Sequence, residues 1–287
     1  MSALFSAALY VALVIVIGAV GLRWLLLPRS SITGPARERI ERAAAGSAML
    51  ATVAVLITVP ARVALQLLDF LEPGEPWRPA LNAILTATQS GSAALLQMVW
   101  ATAALLAFSV AKTGRVRGWR AATFAVVVLA MTPGMGGHPA AAEQPVFAMT
   151  VATLHVLAAG AWIGTLFHLW KAAHAADEAE TRSLVSAFHR VAMSAAGLLL
   201  LTGLYAALTM LPTFGDLFTS AWGRLLLAKL ALVAAVAGFG AWHWRAAEAR
   251  IASLGTLSVG RSIGLELSIA LGVLLVTGFL AGTSPPS

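Results

Sequence analysis

Apolar residues run along this chain in long blocks, separated by short polar segments. Eight blocks approach or exceed the roughly 20 residues a helix needs to cross a hydrocarbon core. They cover residues 3–27, 44–68, 85–111, 117–133, 148–170, 187–211, 222–244 and 262–281. The fourth is short and ends at Thr132-Pro133-Gly134. Ala and Leu dominate the blocks and strict alternation is missing, which argues for helices and against barrel strands. The expected fold is all-α: a polytopic membrane bundle of eight transmembrane helices.

Composition agrees. The 287 residues are 59% hydrophobic and 11% charged, with a mean hydropathy of +0.85. A soluble domain has about 45–50% apolar and about 25% charged residues. Disorder is excluded by the same figures. The net charge of +7 would suit nucleic acid if it formed one patch, but the basic residues recur in clusters between apolar blocks. The chain has no cysteine, so disulfides, thiolate metal sites and iron–sulfur clusters are ruled out. It has no Gly-x4-Gly-Lys-Ser/Thr loop. The bilayer is therefore the expected environment, with neither nucleic acid nor nucleotide as partner.

The basic clusters set the expected orientation. Arg23, Arg29, Arg37, Arg39 and Arg42 lie between the first two blocks, and Lys112, Arg115, Arg117 and Arg120 between the third and fourth. Lys171, Arg182 and Arg190 follow the fifth, and Arg245, Arg250 and Arg261 separate the last two. The opposite loops hold Asp69, Glu72, Glu75, Glu143 and Asp216. The positive-inside rule then gives both termini outside. No basic residue precedes the first block, which is read as an anchor and not a cleaved signal. Trp24, Trp119, Trp170, Trp242 and Trp244 fall at the expected inner interface, with Trp77 and Trp222 at the outer one. Blocks one and five both start outside, so a tandem arrangement of four spans plus four is allowed, with halves 1–134 and 135–287. Gly18-Ala-Val-Gly21 echoes Ala161-Trp-Ile-Gly164, and Gly91 to Gln97 echoes Gly223 to Lys229 at equal spacing; chance similarity in an apolar alphabet is the rival explanation.

Ionisable residues inside spans are the strongest pointers to function, because a charge at the bilayer centre costs at least about 2.5–3.5 kcal/mol. Arg62, His155, Lys229 and Glu266 qualify. His155 and Lys229 both lie roughly 10 Å below the outer surface, a depth at which two helices would share a cavity. A helix-joining histidine and a snorkelling lysine are the plainer alternatives. Arg62 serves equally as an anchor or an anion-attracting group, and Lys229 has Glu266 as a candidate counter-charge. Ahead of the fifth block stand Met131, Met135 and His138, with Met149 just inside it. Thioether and imidazole together suit copper, and a glycine-rich loop would fold over a cavity mouth. Gly160-xxx-Gly164 allows close helix approach, with Trp162 between as core or cavity wall. His168, His174, His189 and His243 sit at inner ends.

His155-Val-Leu-Ala-Ala-Gly-Ala-Trp162-Ile-Gly164 resembles the opening motif of the CopD family, the copper resistance protein D family of bacterial inner-membrane proteins. Gly137-His138, Ala187-Phe-His-Arg, Leu201-Thr-Gly203, Ala221-Trp-Gly-Arg-Leu-Leu-Leu-Ala-Lys229, Leu265-Glu-Leu267 and Pro285-Pro286 extend the resemblance. It covers about residues 135–287; residues 1–130 resemble the family in layout only. The resemblance implies a multi-pass inner-membrane protein that moves copper from periplasm to cytoplasm, with a CopC-type periplasmic chaperone as partner. It implies copper contacts at His138 and His155 with Met131, Met135 or Met149. His155, Trp162, Gly164 and Lys229 are also similar to residues of the HemJ-type membrane haem proteins. That likeness implies an alternative redox enzyme with haem b on His155. A copper receptor that passes nothing on is a third reading.

Overall fold

The computed structural model describes residues 2–72, 74–174, 176–254 and 256–286, with side chains except at 2, 243, 244 and 246–259. Among these residues every regular element is helical. Helix α1 (Ser2–Gly21) runs on through a π-helical turn at Leu22–Leu26. Then come α2 (Gly34–Phe70), α3 (Trp77–Ala87), α4 (Gln89–Lys112) and α5 (Val116–Met135). A 3-10 turn at His138–Ala141 leads to α6 (Pro145–Ala159), a second π-helical turn at Gly160–Gly164, and α7 (Thr165–Ala173). The chain closes with α8 (Glu178–Met210), α9 (Asp216–Thr219), α10 (Ala221–Leu254) and α11 (Thr256–Ala281).

Seven helical segments among the described residues are long and apolar enough to cross a membrane. The expected fourth span, now α5, is a helix of 20 residues but is not among the seven; Arg117, Arg120 and the Thr132-Pro133 end dilute it. The protein is a multi-pass helical membrane protein.

Helix α1 is apolar on all sides, the mark of a helix buried by its neighbours. It packs against α2, α5, α6, α7 and α11, and 56% of its span is buried. The closest approach is to the α6–α7 rod. A Cβ on Gly164 would overlap the Val14 carbonyl, one on Gly18 would overlap Gly164, and one on Gly160 would overlap Ile17. The absence of a Cβ at Gly160 and Gly164 lets α1 come this close, and the two glycine motifs that echo each other in sequence lie face to face.

Two junctions repeat. Thr88, between α3 and α4, donates to the Ile84 carbonyl (2.7 Å) and accepts from the Gly91 N–H (2.9 Å). Ser220, between α9 and α10, donates to the Asp216 carbonyl (2.6 Å) and accepts from the Gly223 N–H (2.9 Å). These are N-cap hydroxyls, and both following glycines press on the preceding short helix. The block expected over 85–111 therefore breaks at Thr88, because the cap ends one helix and starts the next.

Residues 29–39 and 180–190 lie together. Ser31 donates from its backbone N–H to Ser183 Oγ (2.7 Å), Arg190 donates to the Arg29 carbonyl (3.0 Å), and Arg39 pairs with Glu180 (3.5 Å). Two tryptophans expected at the interfaces are core instead: Trp119 is buried edge-on against Phe108, and Trp222 is also buried. Trp77 and Trp242 are exposed. Trp244, His243 and Arg250 lie outside the described side chains.

The two ends of the chain pack differently. Helices α2 and α4 pack closely on each other, and both bury small residues such as Ala48, Ala51, Ala101 and Ala104. Among the described residues, helices α8 and α10 barely touch, and only 17% and 11% of their spans are buried.

Candidate functional site

His155 sits ten residues into α6, about 15 Å from its start. Its ring meets α8, where Nδ1 is 2.9 Å from Thr202 Oγ1. The direction of that bond follows from counting protons. Thr202 has one hydroxyl hydrogen, and it is given to the Leu198 carbonyl at 2.6 Å. Thr202 Oγ1 is then an acceptor toward the ring, so His155 Nδ1–H donates. A neutral imidazole carries its second nitrogen as a lone pair. Nε2 of His155 is therefore presented unprotonated, the form in which histidine binds a metal ion. Gly203 flanks the same ring; a Cβ there would stand 3.5 Å from Cε1. Nearer the start of α6, Phe147 meets Tyr205 of α8 edge-on, with ring centroids 5.3 Å apart.

Lys229, eight residues into α10, is near enough to His155 to act on it electrostatically. The amine and the imidazole thus share one locality between α6, α8 and α10. Arg62 does not join them. Its helix α2 packs on α1, α3 and α4, and its charge acts on Tyr10 of α1.

The methionines are dispersed. Met131 and Met135 lie on α5, not in a loop, because that helix runs through Pro133 and Gly134. Met131 is exposed, Met135 half-buried, and His138 exposed at the start of its 3-10 turn. Met149 lies on the side of α6 that faces α5, where Gly134 abuts its backbone. His155 faces α8 from another side of the same helix. No group of three or more His, Asp or Glu side chains among the described residues is arranged to hold a metal ion.

Glu266 is buried on α11 beside Gly240 of α10, where a Cβ would stand 3.7 Å from Oε2. Gly240 is eleven residues, about 16 Å along the helix, from Lys229. That separation rules out the expected Lys229–Glu266 pair. Glu266 instead lines a cavity of about 510 Å³ at the other end of α10, together with Trp162, Phe188, His189 and Arg245. Trp162 belongs to this cavity and to the small cluster of Val236, Ala270 and Val273. His168 is buried and bonded through Nε2 to the Ile15 carbonyl at 3.0 Å. His174 bonds the Trp170 carbonyl through Nδ1 at 2.7 Å.

Sequence reasoning missed Thr202 as His155's partner and missed the cavity behind Trp162. The available signal for Thr202 was a hydroxyl on an apolar helix, and such residues usually bond only their own helix, as Thr58 and Thr150 do.

The fold defines a polytopic helical membrane protein with an imidazole–amine locality near one face. A family model described as Copper resistance protein D-like, N-terminal domain, matches residues 2–148, and one described as Copper resistance protein D matches residues 182–280. The chain belongs to the copper resistance protein D family. The first match includes the half that resembled the family in layout only, and His155 falls between the two matched segments. No curated protein and no solved structure matches the chain.

Proposed function

We propose that this protein is a copper carrier of the bacterial inner membrane. In this reading the chain crosses the bilayer eight times, α5 included, with both termini on the periplasmic side. Copper arrives from a CopC-type chaperone, meets Met135 and His138 with Met131 and Met149 nearby, and passes to Nε2 of His155 on its way to the cytoplasm. The observation that carries the reading is the Thr202 bond, which leaves a free imidazole nitrogen inside a chain whose family handles copper and which has no thiolate to offer. Imidazole accepts either copper oxidation state. The contacts of residues 29–39 with 180–190 support the topology, since they put two basic connections on one side. The matching Thr88 and Ser220 junctions support descent from a duplicated four-span unit.

The test is copper flux into proteoliposomes. Wild-type protein accumulates copper, and the paired change His138→Ala with His155→Ala abolishes the accumulation. Unchanged flux in that variant refutes the assignment. A protein that binds copper without flux would be a receptor, and a Soret band lost with His155→Ala would replace copper by haem.

A further inference from the structure

A smaller cavity, of about 240 Å³, lies where α2, α7 and the π-helical turn after α1 come together. Among the described residues α2 and α7 scarcely touch, and the cavity fills the gap between them. Apart from Leu22 and Ile40 its apolar lining is alanine. Its ionisable members are Arg39, Lys171 and the buried His168, and no carboxylate lines it. Arg39, Ala43 and Ser47 share one face of α2, a stretch of about 12 Å along the helix. Lys171 reaches its far end, where Nζ donates to Ser47 Oγ at 2.7 Å and stands 6.0 Å from the centre of the Phe167 ring. Both of those partners are neutral. An ammonium has three donors and no acceptor, so the hydroxyl leaves two donors and the whole positive charge unmatched. At the near end Arg39 meets Glu180 only at 3.5 Å, with its side chain 52% exposed, and four of its five donors remain for another acceptor.

We propose that this cavity binds an acidic phospholipid of the inner leaflet, with the lipid phosphate held between Lys171 and Arg39. The proposal takes the orientation from the reading above but owes nothing to copper. The phosphate supplies the negative charge that the lining lacks. The alanines give the glycerol and the first acyl carbons a smooth apolar wall, which a free phosphate ion would leave uncovered. Ser47 stands three residues inside the apolar block that begins at residue 44, and Trp170 precedes Lys171, so the ammonium lies at headgroup level. Basic pockets between helices on the cytoplasmic side are where acidic headgroups bind. A lipid seated here bridges α2 and α7, which are otherwise joined across the cavity by the Lys171–Ser47 bond. It therefore staples the first half of the chain to the second.

The full chain in neutral detergent tests this, by native mass spectrometry and thermal unfolding with phosphatidylglycerol, phosphatidylcholine or inorganic phosphate added. Wild type retains one phosphatidylglycerol and gains melting temperature from it, and neither phosphatidylcholine nor inorganic phosphate does the same. Arg39→Gln combined with Lys171→Gln loses both the bound lipid and the gain. Lys112→Gln combined with Arg115→Gln removes equal charge from a basic connection outside the cavity and keeps both. Equal losses in the two double variants would mean diffuse attraction to the basic side, and would overturn the site. A gain from inorganic phosphate equal to that from phosphatidylglycerol would make it a site for a free anion, and would overturn the lipid. Equal retention of phosphatidylcholine would remove the role of charge and refute the proposal as well. Ala43→Phe covers the case in which the charge variant does not fold. Ala43 is exposed and lines the cavity, so the ring fills the space with both cations intact; loss of the lipid supports the site, and retention refutes it. No copper is added and no membrane side is read, so failure here leaves the copper reading and the orientation standing, and their failure leaves this result standing.

Discussion

Changing Thr202 to valine keeps the shape and β-branch of the side chain and removes the oxygen that accepts from His155 Nδ1. Two effects follow. The Nδ1–H loses its partner, and an unsatisfied buried donor costs about 1–3 kcal/mol. The ring then escapes that cost by moving its proton to Nε2, which blocks the nitrogen proposed to meet copper. Taking the bond itself as worth about 1 kcal/mol, the ratio of rings with a free Nε2 to rings with a protonated one falls by about fivefold, and copper affinity falls by up to that factor. Thr202→Ser restores the acceptor and recovers most of the affinity. The assay is ¹⁵N NMR of histidine-labelled protein in detergent, with His155→Ala used to identify the resonance, alongside a copper(I) competition titration. A merely structural Thr202 would alter stability without changing which ring nitrogen is protonated. If Thr202→Val leaves both the His155 nitrogen shifts and the copper affinity as in wild type, the proton count on which the site rests is wrong.

Three further outcomes are expected. An alkaline phosphatase fused after residue 286 is active on the periplasmic side, because eight crossings return the chain there; an inactive fusion would mean that α5 does not cross. Gly164→Ala forces a Cβ onto the Val14 carbonyl and lowers stability by about 1–3 kcal/mol or more, whereas Gly197→Ala, with open space around it, is neutral or slightly stabilising by helix propensity; thermal unfolding in detergent separates the two. Glu41→Gln strips the shared partner from Arg23 (3.3 Å) and Arg37 (2.8 Å), both contacts being largely shielded from solvent, and costs up to about 3–5 kcal/mol; a melting temperature equal to wild type would show that the pair contributes nothing.

The helical architecture was readable because apolar length and basic punctuation are one-dimensional signals. Nearly every block became a helix, but α2 and α8 begin ten and nine residues before their blocks and α10 runs ten residues past its own, because polar helical turns continue the rods beyond the apolar stretch. The departures have local causes. Thr88 breaks a continuous apolar block through a cap whose geometry no hydropathy average registers. Met131 and Met135 turned out helical because Pro133 sits within α5 without ending it. Trp119 and Trp222 look like interface anchors by position, yet their rings are needed in the core. Within the candidate site, His155 and Lys229 were singled out from charge and depth, both properties of single helices. Thr202's contact and the cavity behind Trp162 depend on how α8 meets α6 and how far it stands from α10. Those are relations between helices, and no pattern along one helix encodes them.

The contrast between the halves gives these distances their meaning. Gln97 and Lys229 each stand six residues beyond a glycine that follows an identical hydroxyl cap, at Thr88 and at Ser220. Gln97 is buried on α4, a helix that packs on both α2 and α5. Lys229 stands where α8 and α10 remain apart, with His155 on one side and the Glu266 cavity further along the same helix. A tightly packed pair cannot open a passage without losing its contacts. A pair held apart already has that freedom, provided something rigid holds its other side. Helix α1 supplies the rigidity: it packs against five other helices and is locked to the α6–α7 rod through Gly18 and Gly164. On this reasoning α1 and the α6–α7 rod serve as the frame, so substitutions at Gly18 or Gly164 should disturb transport and stability together, while His155→Ala disturbs transport alone.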